Sequence, residues 1–191
     1  MTFRLLLALA FSLSLAACAP EEEPPATPEP PVEPADVATA TIQPTSAAGA
    51  TAEGTIRFRE VGGGLQIMVN LTGLAPGEHG VHIHENASCA DGDDGTPAGG
   101  AGAHWDPHNT GDHGEPSEDP MEDKHLGDLG NVTADANGNA EATFTIDEYN
   151  PAEHNVSGHA VIVHSGMDDG ETDPGGESGT RMGCGVIQAN A

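Results

Sequence analysis

The sequence predicts an all-β domain in which eight short strands form a sandwich or a barrel. Apolar and polar residues alternate repeatedly along the second part of the chain, with the period of a half-buried strand. The composition disfavours a helical bundle, because 26 Gly and 15 Pro accompany only one Trp, one Tyr and four Phe. The predicted strands cover residues 38–43, 54–60, 65–71, 80–85, 130–134, 140–146, 159–164 and 183–188.

Turns and long loops separate these strands. Residues 62–64 (Gly-Gly-Gly) and 135–139 (Asp-Ala-Asn-Gly-Asn) are typical of hairpin turns, since Gly and Asn tolerate positive φ angles. Two connections are much longer, at residues 86–129 and 165–182, and long loops in compact domains are often functional. The sequence has no phosphate-binding glycine motif and no nucleophile-elbow serine, so nucleotide-binding and hydrolase functions have no support.

The charge excludes two further classes of function. The 191 residues include 31 acidic and 5 basic side chains, which gives a formal net charge of -26. Such a chain repels phosphate backbones and anionic lipid surfaces, so we expect neither nucleic-acid binding nor electrostatic attachment to a membrane. A cationic partner, a metal ion or a saline medium suits this charge better.

The first residues predict export. Arg4 precedes a mostly apolar run at residues 5–15, which is too short to span a bilayer and is typical of a secretory leader. The run ends in Leu-Ala-Ala-Cys at residues 15–18, which resembles a bacterial lipobox. In that interpretation residues 1–17 are a signal peptide and Cys18 is lipidated, giving a membrane-anchored lipoprotein on the periplasmic or cell-surface side. The alternative is an ordinary cleavage site beside a chance cysteine.

Residues 18–37 predict an extended tether rather than a folded segment. Proline favours polyproline II, and the many glutamates in this stretch repel one another. The folded domain is therefore predicted at residues 38–191. Lipidation of Cys18 would leave Cys89 and Cys184 as an even pair in an oxidising compartment, where a disulfide persists.

Ten histidines in one acidic chain raise the question of metal binding. Side chains alternate along a strand, so His82 and His84 project from one face of the strand at 80–85. Neighbouring neutral imidazoles suit a borderline metal such as copper or zinc. The alternatives are a solvated surface pair, or a buried histidine bonded to the backbone.

Other residues strengthen the metal hypothesis. His104, His113, His125 and Asp128 comprise three imidazoles and a carboxylate, which can form a closed tetrahedral zinc site. His164 ends an apolar strand and could complete the group that His82 and His84 begin. Four nitrogens around one ion suit Cu(II), which prefers tetragonal geometry.

At these positions the sequence resembles the copper/zinc superoxide dismutase family. The similarity follows the family's order over nearly the whole predicted domain. The matching segments are Gly-Val-His-Ile-His-Glu at 80–85, Ala-His-Trp-Asp-Pro at 103–107, His-Gly at 113–114, His-Leu-Gly-Asp-Leu-Gly-Asn at 125–131, Val-His at 163–164 and Gly-Thr-Arg-Met-Gly-Cys-Gly-Val-Ile at 179–187.

The resemblance implies an eight-stranded antiparallel Greek-key barrel with one copper and one zinc per subunit. The implied copper ligands are His82, His84, His104 and His164. The implied zinc ligands are His104, His113, His125 and Asp128, so that His104 bridges the two metals. The resemblance also implies that Asp168 orients one imidazole of each metal, although Asp169 is an alternative, and that Cys89 and Cys184 form a disulfide.

The implied activity is the dismutation of superoxide to dioxygen and hydrogen peroxide, by a copper that cycles in redox state beside a structural zinc. His104 would exchange a proton, and Arg181 would hold the anionic substrate. A non-catalytic copper- and zinc-binding or storage lipoprotein of the same fold is the alternative, and it would not need Arg181. A structural or adhesive lipoprotein would need none of the ligands. The protein would be a monomer or a homodimer.

Some features depart from the resemblance or lie outside it. The loop at 165–180 has no lysine and five acidic residues: Asp168, Asp169, Glu171, Asp173 and Glu177. Electrostatic steering of superoxide into the site should therefore be poor. The repulsion should matter least at high salt, which screens it. The insert at 115–124 has no predicted conformation. His79 is predicted to be a structural hydrogen-bonding group. Arg57 and Arg59 are predicted to be solvated. Three other histidines are predicted to be surface residues or weak secondary metal sites: His108, His154 and His159.

Overall fold

The computed structural model describes residues 34–114, 124–147 and 149–191. The predicted signal peptide, Cys18 and most of the tether lie outside the described residues, as does nearly all of the insert at 115–124. Within the described part of the chain, no helix has both the length and the hydropathy that a membrane span needs.

Eight strands pair in antiparallel fashion into one nearly closed barrel, which confirms the predicted fold class. They are β1 (Asp36–Pro44), β2 (Glu53–Val61), β3 (Gly64–Thr72), β4 (Gly77–His84), β5 (Asp128–Ala134), β6 (Ala140–Ile146), β7 (Ala160–His164) and β8 (Arg181–Ala189). Their spatial order is β5-β4-β7-β8-β1-β2-β3-β6. Strand β3 is followed in the chain by β4, and β6 by β7, yet neither couple is paired in the sheet. The chain therefore crosses twice between different parts of the barrel, as in a Greek key.

One of the two predicted hairpins needs correction. The turn at 62–64 joins β2 and β3, which pair with each other along their whole length. Residues 135–139 also form a turn, in which Asp135 Oδ1 accepts hydrogen bonds from the backbone amides of Asn137 and Asn139. That turn joins the two edge strands, β5 and β6, which contact each other where the barrel nearly closes but form no hydrogen-bonded ladder. Turn residues show that the chain reverses, but not whether the two strands hydrogen-bond to each other.

The core follows the period-two pattern of the sequence. The interior of the barrel is filled from alternate positions of the first strands, including the fully buried Ile42, Ile56, Phe58, Leu65 and Ile67. On the outer side Arg59 departs from expectation, because its Nη2 lies 2.9 Å from Asp36 Oδ1 and its side chain is only 17% exposed. Arg59 is therefore ion-paired and half-buried rather than solvated.

Strand β7 is buried on both faces, which explains its uninterrupted apolar sequence. Val161 and Val163 face the main core, while Ala160 and Ile162 belong to a second apolar cluster. That second cluster also contains Cys184 and two alanines of the long loop, at and beside the short 3-10 helix Gly99–Ala101. One side of β7 thus supports the loop that follows β4.

Six of the strands begin earlier than predicted, and in two of them the difference concerns the candidate site. Strand β5 starts at Asp128 rather than residue 130, and β8 starts at Arg181 rather than residue 183. The ladder pairs Asp128 with His82 and Arg181 with His164. Both residues are therefore fixed by sheet hydrogen bonding instead of lying in loops.

Candidate metal centre

Two strands deliver three histidines to one end of the barrel. His82 and His84 on β4 are 0% and 1% exposed, and the ring of His164, at the end of β7, lies 4.9 Å from that of His82 between centroids. The strand register shifts next to His82 and again at His164. Such bulges bend a strand and redirect its side chains, which is why these imidazoles converge.

Backbone hydrogen bonds attach the long loop to β4 and bring His104 to the same place. The amide of Trp105 donates to Ile83 O (2.8 Å), and the amide of Glu85 donates to Ala103 O (3.0 Å). His104 thereby lies opposite His84, with ring centroids 4.8 Å apart. Gly127 packs against the same stretch so closely that a β-carbon there would collide with Ile83 O, so this position requires glycine.

The structure brings all seven predicted ligand residues together, and all are buried. Their possible ligand atoms lie within 4.8 Å of one another in two groups that share His104. The first group, hereafter the four-imidazole group, is His82, His84, His104 and His164. The second, hereafter the carboxylate group, is His104, His113, His125 and Asp128.

Four of these rings have one nitrogen held by the protein and the other without a partner. Backbone carbonyls of Gly102 and Gly179 bind Nδ1 of His84 (3.0 Å) and of His164 (3.2 Å). Asp168 binds Nε2 of His82 and of His113. The opposite nitrogens are buried and have no hydrogen-bond partner: His82 Nδ1, His84 Nε2, His113 Nδ1 and His164 Nε2.

These bare nitrogens fit metal ions. A buried, unpaired polar atom destabilises a fold, so four of them converging on one locus indicate an absent ligand. In His82, His84 and His164 the opposite nitrogen faces an acceptor, so it is the nitrogen that carries the ring proton of a neutral imidazole, and the bare nitrogen is left to present a lone pair. A divalent transition metal requires that arrangement from histidine.

Asp168 connects the two groups. Its carboxylate oxygens accept hydrogen bonds from His82 Nε2 (2.7 Å) and His113 Nε2 (2.8 Å), and the residue is only 3% exposed. The amide of Asn131 holds the backbone of Asp168 on both sides, with two hydrogen bonds of 2.8 Å. The alternative residue, Asp169, is exposed and bonds only within its own loop, to Glu171 and Thr172.

Burial and the neighbouring charges set the ionisation of the rings. Burial, followed by the nearby His82, lowers the pKa of His164 to about 3. Burial also lowers the pKa of His104 to about 4, against the opposing effect of Asp128. Burial alone would lower the pKa of His113, but the carboxylates of Asp128 and Asp168, one beside each ring nitrogen, raise it to about 10. In the metal-free protein this ring is therefore protonated at neutral pH, and it must lose a proton to bind a metal. Burial also lowers the pKa of His84, so at neutral pH three rings of the four-imidazole group offer uncharged nitrogens: His84, His104 and His164.

An open cavity of about 420 Å³ leads from the surface to the four-imidazole group. His84, His104 and His164 form part of its wall, together with Arg181 and the loop at 172–179. The guanidinium of Arg181 is fixed in place, since Nη1 donates to Ala98 O and Nη2 to Gly102 O, both at 2.8 Å. A fixed positive charge therefore stands beside the bare imidazole nitrogens.

A disulfide holds the segment that positions Arg181. Cys89 is bonded to Cys184, with Cα atoms 5.7 Å apart across 95 residues of sequence. Cys184 lies on β8, three residues after Arg181, and Cys89 lies in the loop that supplies Ala98 and Gly102. The predicted cysteine pairing is therefore present, and it ties the loop carbonyls to the strand that carries the guanidinium.

Comparison with known proteins identifies the family. Residues 52–187 match the family model described as copper/zinc superoxide dismutase (SODC). The chain belongs to the copper/zinc superoxide dismutase family. Membership implies one copper and one zinc per subunit, and the two buried groups of ligand atoms can accommodate them.

Several members of the copper/zinc superoxide dismutase family are similar over most of the chain. The "Superoxide dismutase [Cu-Zn]" of Haemophilus parainfluenzae is 41% identical over 140 residues, covering 71% of this chain and 73% of that protein. That of Deinococcus radiodurans is 33% identical over 186 residues, covering 95% of this chain and 93% of its own. The solved structure of the Cu/Zn superoxide dismutase from Brucella abortus has a TM-score of 0.65 at 36% identity, covering 78% of this chain and 98% of that one.

Some contributors to this dismutase-family site were not predicted from the sequence. The carbonyls of Gly102 and Gly179 act through the backbone, which leaves no side-chain signal. Asn131 was part of a matching segment but had no assigned role, although Asn inside a strand is unusual enough to have marked it. His79 behaves as predicted, because its ring nitrogens lie 2.8 Å from the carbonyl oxygens of His164 and Ala75.

Proposed function

We propose that this protein dismutes superoxide to dioxygen and hydrogen peroxide. The observation that carries the proposal is the set of bare, buried imidazole nitrogens beside an anchored guanidinium in an open cavity. A storage site needs the nitrogens, but it needs neither the fixed cation nor access from solvent. The names of the similar proteins support the same activity.

The four-imidazole group would hold copper and the carboxylate group would hold zinc. When bound, copper supplies one-electron chemistry, taking an electron from one superoxide and giving one to a second, while zinc has no redox role. His82, His84 and His164 would each present one nitrogen whose direction is fixed by a hydrogen bond on the far side of the ring. That preorganisation keeps the ligand set in place during turnover.

Arg181 and His104 have distinct roles in the cavity. Arg181 binds the anionic substrate and offsets the negative charge that develops on it. Nδ1 of His104 lies 2.6 Å from Asp128 Oδ1 and therefore faces the carboxylate group, where it would hold zinc. Nε2 is then the atom left to take up a proton and return it to the substrate.

The acidic loop affects the cavity less than its sequence suggests. Asp168 is directed inward to the two histidines, and Asp173 Oδ1 accepts a hydrogen bond from the His113 amide at 2.7 Å. Asp173 and Glu177 are both exposed and contribute to the cavity wall, so their charges belong to its rim. Repulsion of superoxide therefore comes from the overall charge and from the rim more than from the floor of the site.

The proposal is tested by metal analysis and superoxide decay on the same preparation. We expect the full chain, loaded with copper and zinc, to bind one of each and to accelerate superoxide decay in stopped-flow measurements. His164→Ala should lose that acceleration, whereas His159→Ala should retain it, because His159 bonds to Glu85 O outside the site. Stoichiometric metal without faster decay would favour the storage protein instead.

We also propose that the protein is exported and anchored by lipid at Cys18, with residues 1–17 removed and residues 18–37 acting as the tether. The apolar leader and the Leu-Ala-Ala-Cys segment support this. In a bacterial host, wild-type protein should fractionate with membranes and carry an acyl mass on Cys18. Cys18→Ser should be released in soluble form or remain unprocessed, and an unchanged membrane fraction would contradict the anchor.

Sedimentation of the domain would decide between monomer and homodimer.

A further inference from the structure

A second pair of histidines lies outside the metal centre. The rings of His108 and His154 pack edge to face with centroids 4.9 Å apart. His108 follows the shared His104 in the long loop, and His154 lies in the turn before β7. Neither residue belongs to the four-imidazole group or to the carboxylate group. The dismutase mechanism uses neither of them.

His154 carries the same signature as the metal-centre ligands. Among the described residues, five buried side-chain nitrogen or oxygen atoms have no hydrogen-bond partner. Four are the bare imidazole nitrogens of the metal centre, and the fifth is Nδ1 of His154. His154 is 3% exposed, and this nitrogen is itself shielded from solvent and without a protein partner. The criterion that indicates the metal centre therefore also singles out His154.

The spacing of the pair suits a shared ion. In the metal centre, ring centroids lie between 4.1 Å, for His82 and His104, and 6.4 Å, for His82 and His84. The 4.9 Å separation of His108 and His154 falls inside that range. Because metal–nitrogen bonds are about 2.0–2.1 Å long, rings at this distance can both reach one ion.

The charges around the pair also favour a cation. Burial lowers the pKa of His154, and the neighbouring His108 adds to the effect, so the ring is neutral and its lone pair available at pH 7. Glu153 is exposed and places a carboxylate near the pair. The net charge of -26 raises the local concentration of cations around the whole molecule.

We infer that His108 and His154 form an accessory site for a divalent transition-metal ion, separate from the two metals of the dismutase centre. Two imidazoles suit Cu²⁺ and Zn²⁺, and Cu²⁺ binds most strongly by the usual order of affinities. The exposed His108 side chain makes the site open, with water completing the coordination, so its ion exchanges with solvent. The inference does not depend on the proposed activity.

The test is a titration of the full chain after the main centre has been filled with copper and zinc. Added Cu²⁺ should bind as one further equivalent, followed by calorimetry and by the nitrogen splitting in its electron paramagnetic resonance spectrum. His108→Ala removes an exposed ring and should weaken this binding by at least about tenfold, the loss that even an outer-sphere change produces. His154→Gln should have a similar effect. His159→Gln is the matched control, because Nδ1 of His159 is already bonded to Glu85 O at 2.9 Å.

Two results would overturn the inference. If the filled wild-type protein takes up no further Cu²⁺, the two rings are only packed against each other. If a further equivalent binds but His108→Ala leaves its affinity unchanged, the ion lies elsewhere, for example on surface carboxylates. His154→Gln replaces a buried residue, so its folding should be checked by circular dichroism, and His108→Ala decides the matter without it.

Discussion

Replacing Asp168 with asparagine should weaken both metals at once. One carboxylate oxygen accepts from His82, which belongs to the four-imidazole group, and the other accepts from His113, which belongs to the carboxylate group. An asparagine has one acceptor oxygen, and its NH2 group would face a ring N–H. One imidazole must then turn or change tautomer, which moves its lone pair away from the metal.

The size of the effect follows from these two contacts. Losing the partner that orients a ligating histidine costs about ten- to a hundredfold in metal affinity. Each tenfold loss corresponds to about 1.4 kcal/mol. We expect losses of this size for copper and zinc in the same variant, with the larger loss at whichever histidine faces the new NH2 group.

Competition with chelators of known affinity would measure both losses. Asp169→Asn is the matched control, because that carboxylate bonds only to Glu171 and Thr172 in its own loop. The control should keep wild-type affinities. Wild-type metal binding by Asp168→Asn, or an equal loss in the Asp169 variant, would refute the argument that Asp168 couples the two sites.

Four other predictions concern substrate access and stability. Arg181→Gln should lower the second-order rate constant for superoxide by at least about tenfold in pulse radiolysis, since a charged cleft raises on-rates by that much or more, and Arg181→Lys should recover only part of it. Raising ionic strength from low values should increase that wild-type rate constant or leave it level, and a steep fall would reveal a local positive funnel. In the metal-free protein, the free energy of unfolding should decrease as pH falls from about 6.5 toward 4, by up to about 1.4 kcal/mol per pH unit for each buried histidine such as His164. The unfolded chain binds a proton near pH 6.5, whereas folded His164 stays neutral down to about pH 3, and urea unfolding would measure the slope. Replacing Cys89 and Cys184 by serine should lower the free energy of unfolding by about 4–5 kcal/mol in the chain-entropy model, and an unchanged urea midpoint would contradict it.

His113 and His164 change the free energy of unfolding in opposite directions with pH. The raised pKa of His113 stabilises the folded, metal-free protein below pH 6.5, and this stabilisation is lost as pH rises toward about 10. Below pH 6.5 His113 is protonated in both the folded and the unfolded states. It therefore does not mask the destabilisation caused by His164 in acid.

Local sequence was sufficient for the strands and for many of the ligands. Strand β3 alternates buried and exposed side chains because its inner face lies on the core, so its period is visible without a structure. His82 and His84 share a strand face for the same reason. The assignment of His104 to both ligand groups came from the family resemblance rather than from any local pattern.

Contacts between backbone atoms that are far apart in the chain could not be predicted from the sequence. The turn at 135–139 was recognisable, yet its strands pair with others, because pairing depends on how the sheet closes. The directions of the His84 and His164 rings depend on the backbone carbonyls of Gly102 and Gly179, whose residue type carries no information.

The amino-acid order alone determined that this is an acidic β domain with histidines in number and spacing suited to two metals. Folding decided which nitrogen of each ring remains bare, where Arg181 stands, and that His108 and His154 meet. The physical reason is that composition and periodicity report on burial within a segment. The position of a lone pair or a charge is set by hydrogen bonds between segments, and those exist only once the barrel has closed.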